Sequence, residues 1–174
     1  VGAIKKAKTK KKAETLPIKK FKRVLGLDPG VVNFGATLLI DGKPNKTFWV
    51  KAQQNIYDDG VFINNIIDII RETKPDLIIA ERYQFRGLQS VYVEVVSQML
   101  GRLSIITRIL FNKELVQITA AQWKNFYKVK KLKNGVWSLF PNCRIFEEIH
   151  QVDAAAIGKY GWETLDSRIP IRFK

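Results

Sequence analysis

A chain of 174 residues that is 46% hydrophobic is long enough for one domain with a sizeable core. No apolar run approaches the length of a membrane span, so no membrane helix is expected. The single Cys143 excludes an internal disulfide and a thiolate zinc cage, and it fits a reducing, intracellular compartment.

The formal net charge of +14 is unevenly spread. Residues 1–23 carry ten Lys/Arg against Glu14 alone, and the remainder carries twenty Lys/Arg against fifteen Asp/Glu. A basic body with a strongly basic arm suits a polyanionic partner, most often nucleic acid, although the same run would also solubilise a tail. Residues 1–23 are read as a basic flexible arm, since they lack apolar periodicity over 1–20. No secretory hydrophobic segment is expected near the start. Residues 24–174 are read as one folded domain with a C-terminal tail.

In chain order, the short apolar run 24–27 reads as a strand stopped by the turn Asp28-Pro29-Gly30. Residues 34–40 and 47–51 read as two further strands, joined as an antiparallel hairpin through Asp41-Gly42-Lys43-Pro44. Asp58 or Asp59 caps a helix to about residue 73, with Val61, Phe62, Ile66, Ile69 and Ile70 on one face. Lys74-Pro75 ends it. The fully apolar run 77–80 reads as a central strand. A long helix follows from about 88 to 110, then a fifth strand at 115–118. Thr119 caps a short helix to about 127. Residues 128–146, punctuated by Lys, Gly and Pro, give no regular pattern. A last helix spans roughly 147–160.

The order β-β-β-α-β-α-β-α-α predicts an α/β fold with a mixed five-stranded sheet flanked by helices, three antiparallel strands followed by parallel ones. Sites in such sheets form at the carboxyl ends of neighbouring strands. Asp28 and Glu81 occupy two such ends. His150 and Asp153, three apart on the last helix, share one face. Ionisable groups at the ends of buried strands are costly unless solvated, paired or metal-bound. Three converging carboxylates repel unless a cation lies between them, and an all-oxygen set suits Mg²⁺ and phosphoryl chemistry. Singly, Asp28 would also serve as a turn former, His150 as a locally bonded helix residue and Asp153 as a charge at a helix N-terminus.

Leu25-Gly26-Leu27-Asp28-Pro29-Gly30, Asn33-Phe34-Gly35, Ile79-Ala80-Glu81 and His150-Gln151-Val152-Asp153-Ala154 resemble, in order and spacing, the RuvC-type Holliday junction resolvases of the RNase H-like, retroviral-integrase superfamily. The resemblance covers roughly residues 24–160. Thr119-Ala120-Ala121-Gln122-Trp123-Lys124 is similar to the family's basic stretch after its fifth strand. The family often has Asp where His150 stands. Residues 128–150 lack a helix that bacterial members carry, and the basic arm lies outside the pattern. A divergent member, viral or organellar, is expected.

The resemblance implies a Mg²⁺-dependent endonuclease that resolves Holliday junctions or other branched DNA by paired nicking, with Mn²⁺ able to substitute. Asp28, Glu81 and Asp153 would then be carboxylate ligands, and His150 a fourth ligand or a proton-transfer group with an ordinary pKa of ~6.5. Two ions about 4 Å apart would activate water and stabilise the leaving oxygen. Arg82, Tyr83, Phe85 and Arg86 follow Glu81, where the family uses an aromatic near the crossover. Phe85 is the first choice and Tyr83 the second, with the arginines on phosphates. Lys124, Lys128, Lys130, Lys131 and Lys133, interleaved with Trp123, Phe126 and Tyr127, form a second basic tract suited to phosphates.

The long helix is apolar on more than one face, which suits pairing with a second copy through Tyr92, Met99 and Ile106, spaced by seven. A homodimer also fits two symmetric nicks. Two other readings of the same pattern remain. One is another RNase H-like nuclease acting on RNA–DNA hybrids or RNA, and the other is a non-catalytic nucleic-acid-binding protein on this fold.

Overall fold

The computed structural model describes residues 17–30, 32–51, 60–83 and 91–168, excluding the side chains of Val91 and Tyr92. Its first strand, β1, runs Arg23–Pro29, followed by β2 (Asn33–Ile40) and β3 (Lys43–Lys51). The β2–β3 hairpin turns on Asp41 and Gly42, whose φ values of 49° and 77° give the handedness that two-residue hairpin loops require. Pro44 lies in β3, which is an edge strand, where a missing N–H is tolerated. Helix α1 (Gly60–Thr73), β4 (Leu77–Arg82), α2 (Val91–Phe111) and β5 (Leu115–Thr119) follow. Then come α3 (Ala120–Phe126), two 3₁₀ turns at Val129–Lys131 and Gly135–Leu139, and α4 (Ile149–Thr164).

The sheet order is β3-β2-β1-β4-β5. β1, β2 and β3 pair antiparallel, while β4 pairs parallel with β1 and with β5. This is the mixed five-stranded α/β sheet that the element order predicts.

The two-residue period of the strands sorts their side chains into two cores. Leu25, Leu27, Ile78 and Ala80 face α1 and α2, where Phe62, Ile66, Val96, Met99 and Leu103 meet them. Val24, Leu77, Ile79, Val116 and Ile118 face the other side, against Trp123, Val152, Ala156 and Ile157. Burying each Val, Leu, Ile, Phe or Met side chain among them stabilises the fold by roughly 1.5–3 kcal/mol. Val61, expected on the buried face of α1, is 66% exposed, whereas its neighbour Phe62 is buried. The expected capping residues Asp58 and Asp59 lie outside the described residues.

The end of the basic arm is tied to this frame. The Arg23 guanidinium donates to the carbonyls of Thr73 and Lys74, with Nε at 2.9 and 3.2 Å. It thereby satisfies carbonyls left open at the C-terminus of α1. Lys20 Nζ donates to the Glu163 carbonyl, and the Ser167 N–H donates to the Lys19 carbonyl.

Candidate active site

Parallel pairing aligns Leu27 with Ala80. Asp28 and Glu81, each one residue further on, therefore emerge side by side at the carboxyl ends of the two central strands. Helix α4 brings the other two groups. It lies directly on β1 and β2 because three glycines leave room for its backbone. A Cβ on Gly26 would stand 1.9 Å from the Ala154 oxygen, one on Gly35 2.1 Å from the His150 oxygen, and one on Gly158 2.5 Å from a Leu39 methyl. Gln151 fixes the first turn of α4. Its side-chain oxygen accepts from the backbone N–H groups of Glu147 and Glu148 at 2.6 and 2.9 Å, completing a reciprocal cap with Glu148. Its own carbonyl accepts from the buried Thr37 hydroxyl at 2.8 Å. His150 and Asp153 are thus held over the strand ends by backbone contact.

Each acidic side chain has a protein partner among the described residues. Asp28 Oδ2 lies 2.7 Å from His150 Nδ1. Glu81 Oε2 accepts from the indole N–H of Trp123 at 2.7 Å. Asp153 Oδ2 lies 3.7 Å from Lys124 Nζ, and that ammonium sits 4.7 Å from the centroid of the Trp123 ring.

The electrostatics report three carboxylates in one field. Burial raises the Glu81 pKa, with Trp123 opposing and Asp28 adding to the rise. Burial raises Asp153 to about 6, aided by Asp28 and Glu81 and opposed by Lys124 and His150. The hydrogen bond to Asp28 raises His150 above its usual value, against partial burial. Raised acids and a raised histidine in one cluster mark a candidate functional site.

Such a donor set, rich in hard oxygen atoms and short of internal cations, has the chemistry of a divalent-cation site. Among the described residues, no three His, Cys, Asp or Glu side chains are already arranged around one point as ligands. One oxygen of each carboxylate is instead turned to His150, Trp123 or Lys124. Asp28 and Glu81 nevertheless lie one step beyond paired residues and both act on Asp153 electrostatically, so the donor set fits a divalent cation in its chemistry.

The other expected residues are distributed as follows. Arg82 is exposed at the end of β4. Tyr83 is 45% exposed, and its phenol is raised by burial and by Asp28 and Glu81, which places it beside the acids. Phe85 and Arg86 lie outside the described residues. Lys124 joins the acidic cluster, while Lys128, Lys130, Lys131 and Lys133 are exposed on the turns beyond it. Trp123, expected to interleave with the lysines, is fully buried and holds Glu81. The capping box of Thr119 and Gln122 sets the start of α3, and so the position of Trp123.

One expectation is corrected. Met99 is 3% exposed and belongs to the core between α2 and the sheet, so it does not face a second copy. A seven-residue spacing cannot tell the inner from the outer face of a helix apolar on several sides. Ile106 is half-buried, and the side chain of Tyr92 lies outside the described residues. The outward apolar positions are Ile105, Ile109 and Leu110, at 61%, 73% and 52% exposure.

No protein-family model and no curated protein sequence matches the chain. Among solved structures, it is similar to Thermus thermophilus RuvC in complex with a Holliday junction substrate, with 18% identity and a TM-score of 0.66 over 79% of this chain and 90% of that one. A second Thermus thermophilus RuvC structure gives 18% identity and a TM-score of 0.63 over 79% and 92%. Sheet order, strand directions and flanking helices together show that this chain has the RNase H-like fold of RuvC.

Proposed function

We propose that this protein is a divalent-metal-dependent endonuclease that resolves Holliday junctions or related branched DNA by paired nicking. The observation that carries the proposal is the meeting of Asp28, Glu81 and Asp153 at the strand ends of a RuvC fold, with the pKa values of Glu81 and Asp153 raised. The substrate in one neighbour, a Holliday junction, supports the choice of branched DNA.

Asp28, Glu81 and Asp153 would hold Mg²⁺, or Mn²⁺ in its place, through carboxylate oxygens. Bound there, the cation supplies neutralisation of the scissile phosphate and a more acidic water. The protein's own groups do the rest. Trp123 holds one Glu81 oxygen, and the other has no hydrogen bond among the described residues. Asp28 orients the His150 ring through Nδ1 and raises its pKa, which suits Nε2 to carrying a proton near neutral pH. Lys124, drawn to Asp153, is placed to meet a phosphate oxygen.

Two nicks related by symmetry require two sites at a fixed separation, so the proposal includes a homodimer. Ile105 and Ile109, one helical turn apart and outward on α2, replace Met99 as the pairing face. The test is cleavage by the purified chain with Mg²⁺ of a mobile four-way junction, a matched linear duplex and an RNA–DNA hybrid. Preferential cutting of the junction at symmetric positions supports the proposal, and preferential cutting of the hybrid overturns the substrate class.

A further inference from the structure

Residues 128–146 contain Lys128, Lys130, Lys131, Lys133 and Arg144 and no acidic residue. All five are exposed, and none enters an ion pair among the described residues. The segment is nonetheless well seated. Val136, Phe140 and Phe146 are buried in the core on that side of the sheet. The Phe146 ring meets those of Phe140 and Trp137 at centroid distances of 5.6 and 6.2 Å. Trp137 thus packs near-perpendicular to Phe146 while 40% of it remains exposed.

An anchored, exposed indole in a segment whose exposed cations have no ion-pair partner among the described residues is poorly suited to an apolar protein surface, which would desolvate the charges without compensation. It is well suited to a strand with unpaired bases. Phosphates satisfy the cations, and an indole face stacks on any base. The location suits this use, because Phe146 lies four residues before His150, at the end of α4 that carries the acidic cluster. A base within duplex is already stacked on both faces, so an exposed indole suits unpaired nucleotides better than paired ones.

We propose that residues 128–146 bind an unpaired stretch of DNA next to the cleavage site, with Trp137 stacking on a base and Lys130, Lys133 and Arg144 contacting phosphates. This rests on the nuclease reading above and specifies the form of its substrate: branched DNA with unpaired nucleotides is held better than a fully paired junction.

The test uses the full chain in EDTA, so that binding is read without cleavage. The probes are a single-stranded DNA carrying one 2-aminopurine, the same DNA as a duplex, and a single-stranded RNA of equal length. Tighter binding of single-stranded DNA than of duplex is expected, with quenching of the 2-aminopurine, and RNA, which offers the same ring faces and phosphates, should bind no tighter than DNA. Trp137→Ala should weaken single-strand binding about tenfold and remove the quenching. Trp137→Phe, which keeps an edge on Phe146 and a ring to stack, should retain most of both. The exposed double change Lys130→Glu with Lys133→Glu should flatten the salt dependence. Folding of each variant is checked by circular dichroism.

Unchanged affinity and quenching in a folded Trp137→Ala, or an unchanged salt slope in the lysine double variant, overturns the proposal and leaves the face to a protein partner. Preference for duplex or RNA also overturns it. The nuclease reading fails separately: wild-type protein that binds through Trp137 but cuts no branched DNA in Mg²⁺ or Mn²⁺ leaves this surface standing.

Discussion

Trp123 and Glu81, forty-two residues apart, are joined by a 2.7 Å hydrogen bond from the indole N–H to Oε2. The tryptophan is fully buried, so the carboxylate is fixed by a group that cannot move without disturbing the core. Trp123→Phe keeps the apolar bulk and deletes the donor. The expected cost is about 2 kcal/mol of stability, because the bond is to an ionisable group and its loss leaves a partly buried oxygen unmatched. Junction cleavage should fall about tenfold or more in kcat, since a displaced ligand acts on the reacting centre, with DNA affinity little changed. Equal kcat in wild type and variant would confine Trp123 to the core.

The raised pKa of Asp153 has a consequence for stability. A carboxyl raised from 3.8 to about 6 by folding adds stability that is fully present below pH 3.8 and is lost as the pH rises through 6. Asp153→Asn cannot ionise. In EDTA at pH 7 it should therefore be more stable than wild type, on the order of 2 kcal/mol after allowing for solvent screening. Near pH 3.5 the two should agree. Adding Mg²⁺ should reverse the order at pH 7, because the ion stabilises only a site that retains its ligand. Thermal melts at the two pH values, with and without Mg²⁺, check each statement. A variant less stable than wild type in EDTA at pH 7 would show that the carboxylate is stabilised by its surroundings.

Gly35 and Gly26 set how closely α4 approaches the sheet. Gly35→Ala places a methyl against the His150 carbonyl, and backbone cannot yield there as a flexible side chain would. A loss of about 3 kcal/mol is expected from overpacking. Activity should fall further than stability explains, because His150 and Asp153 ride on the displaced helix. Denaturant melts together with cleavage rates below the transition separate the two effects. Full activity in the folded variant would show that α4 tolerates displacement.

Ile109 is 73% exposed on the outer face of α2. Ile109→Asp should leave the monomer fold intact and dissociate the proposed homodimer, since a charge there would be buried without a partner at the interface. Sedimentation of wild type and variant at micromolar concentration is the check. The variant should still bind DNA but lose paired incision. A monomeric wild type, both free and on a junction, would reject the dimer.

The order of strands and helices was legible because the strands are short apolar runs ended by specific turn chemistry, at Asp28-Pro29-Gly30 and Asp41-Gly42. The placement of Asp28 beside Glu81 followed from central strands that had to pair. Residues 128–146 were not legible, since Val136, Phe140 and Phe146 anchor 3₁₀ turns at irregular intervals and leave no period. The inner face of α2 was hidden because the helix is apolar on several sides, and Met99 was assigned outward although it is core. Trp123 sat in a basic tract, read only as interleaved with its lysines. Its bond to Glu81 depends on a meeting of β4 and α3 that local sequence does not encode.

The most direct measurement is cleavage of a mobile four-way junction by wild type and by Asp28→Asn, Glu81→Gln and Asp153→Asn, in Mg²⁺ and in EDTA, with junction affinity measured alongside. Wild type should introduce symmetric nicks only with the divalent cation. Each variant should abolish cutting while retaining junction affinity, because affinity comes chiefly from Lys and Arg contacts and the acids act at the scissile phosphate. Near-wild-type turnover by any one variant would remove that residue from the site, and cutting by wild type in EDTA would contradict the metal-dependent chemistry outright.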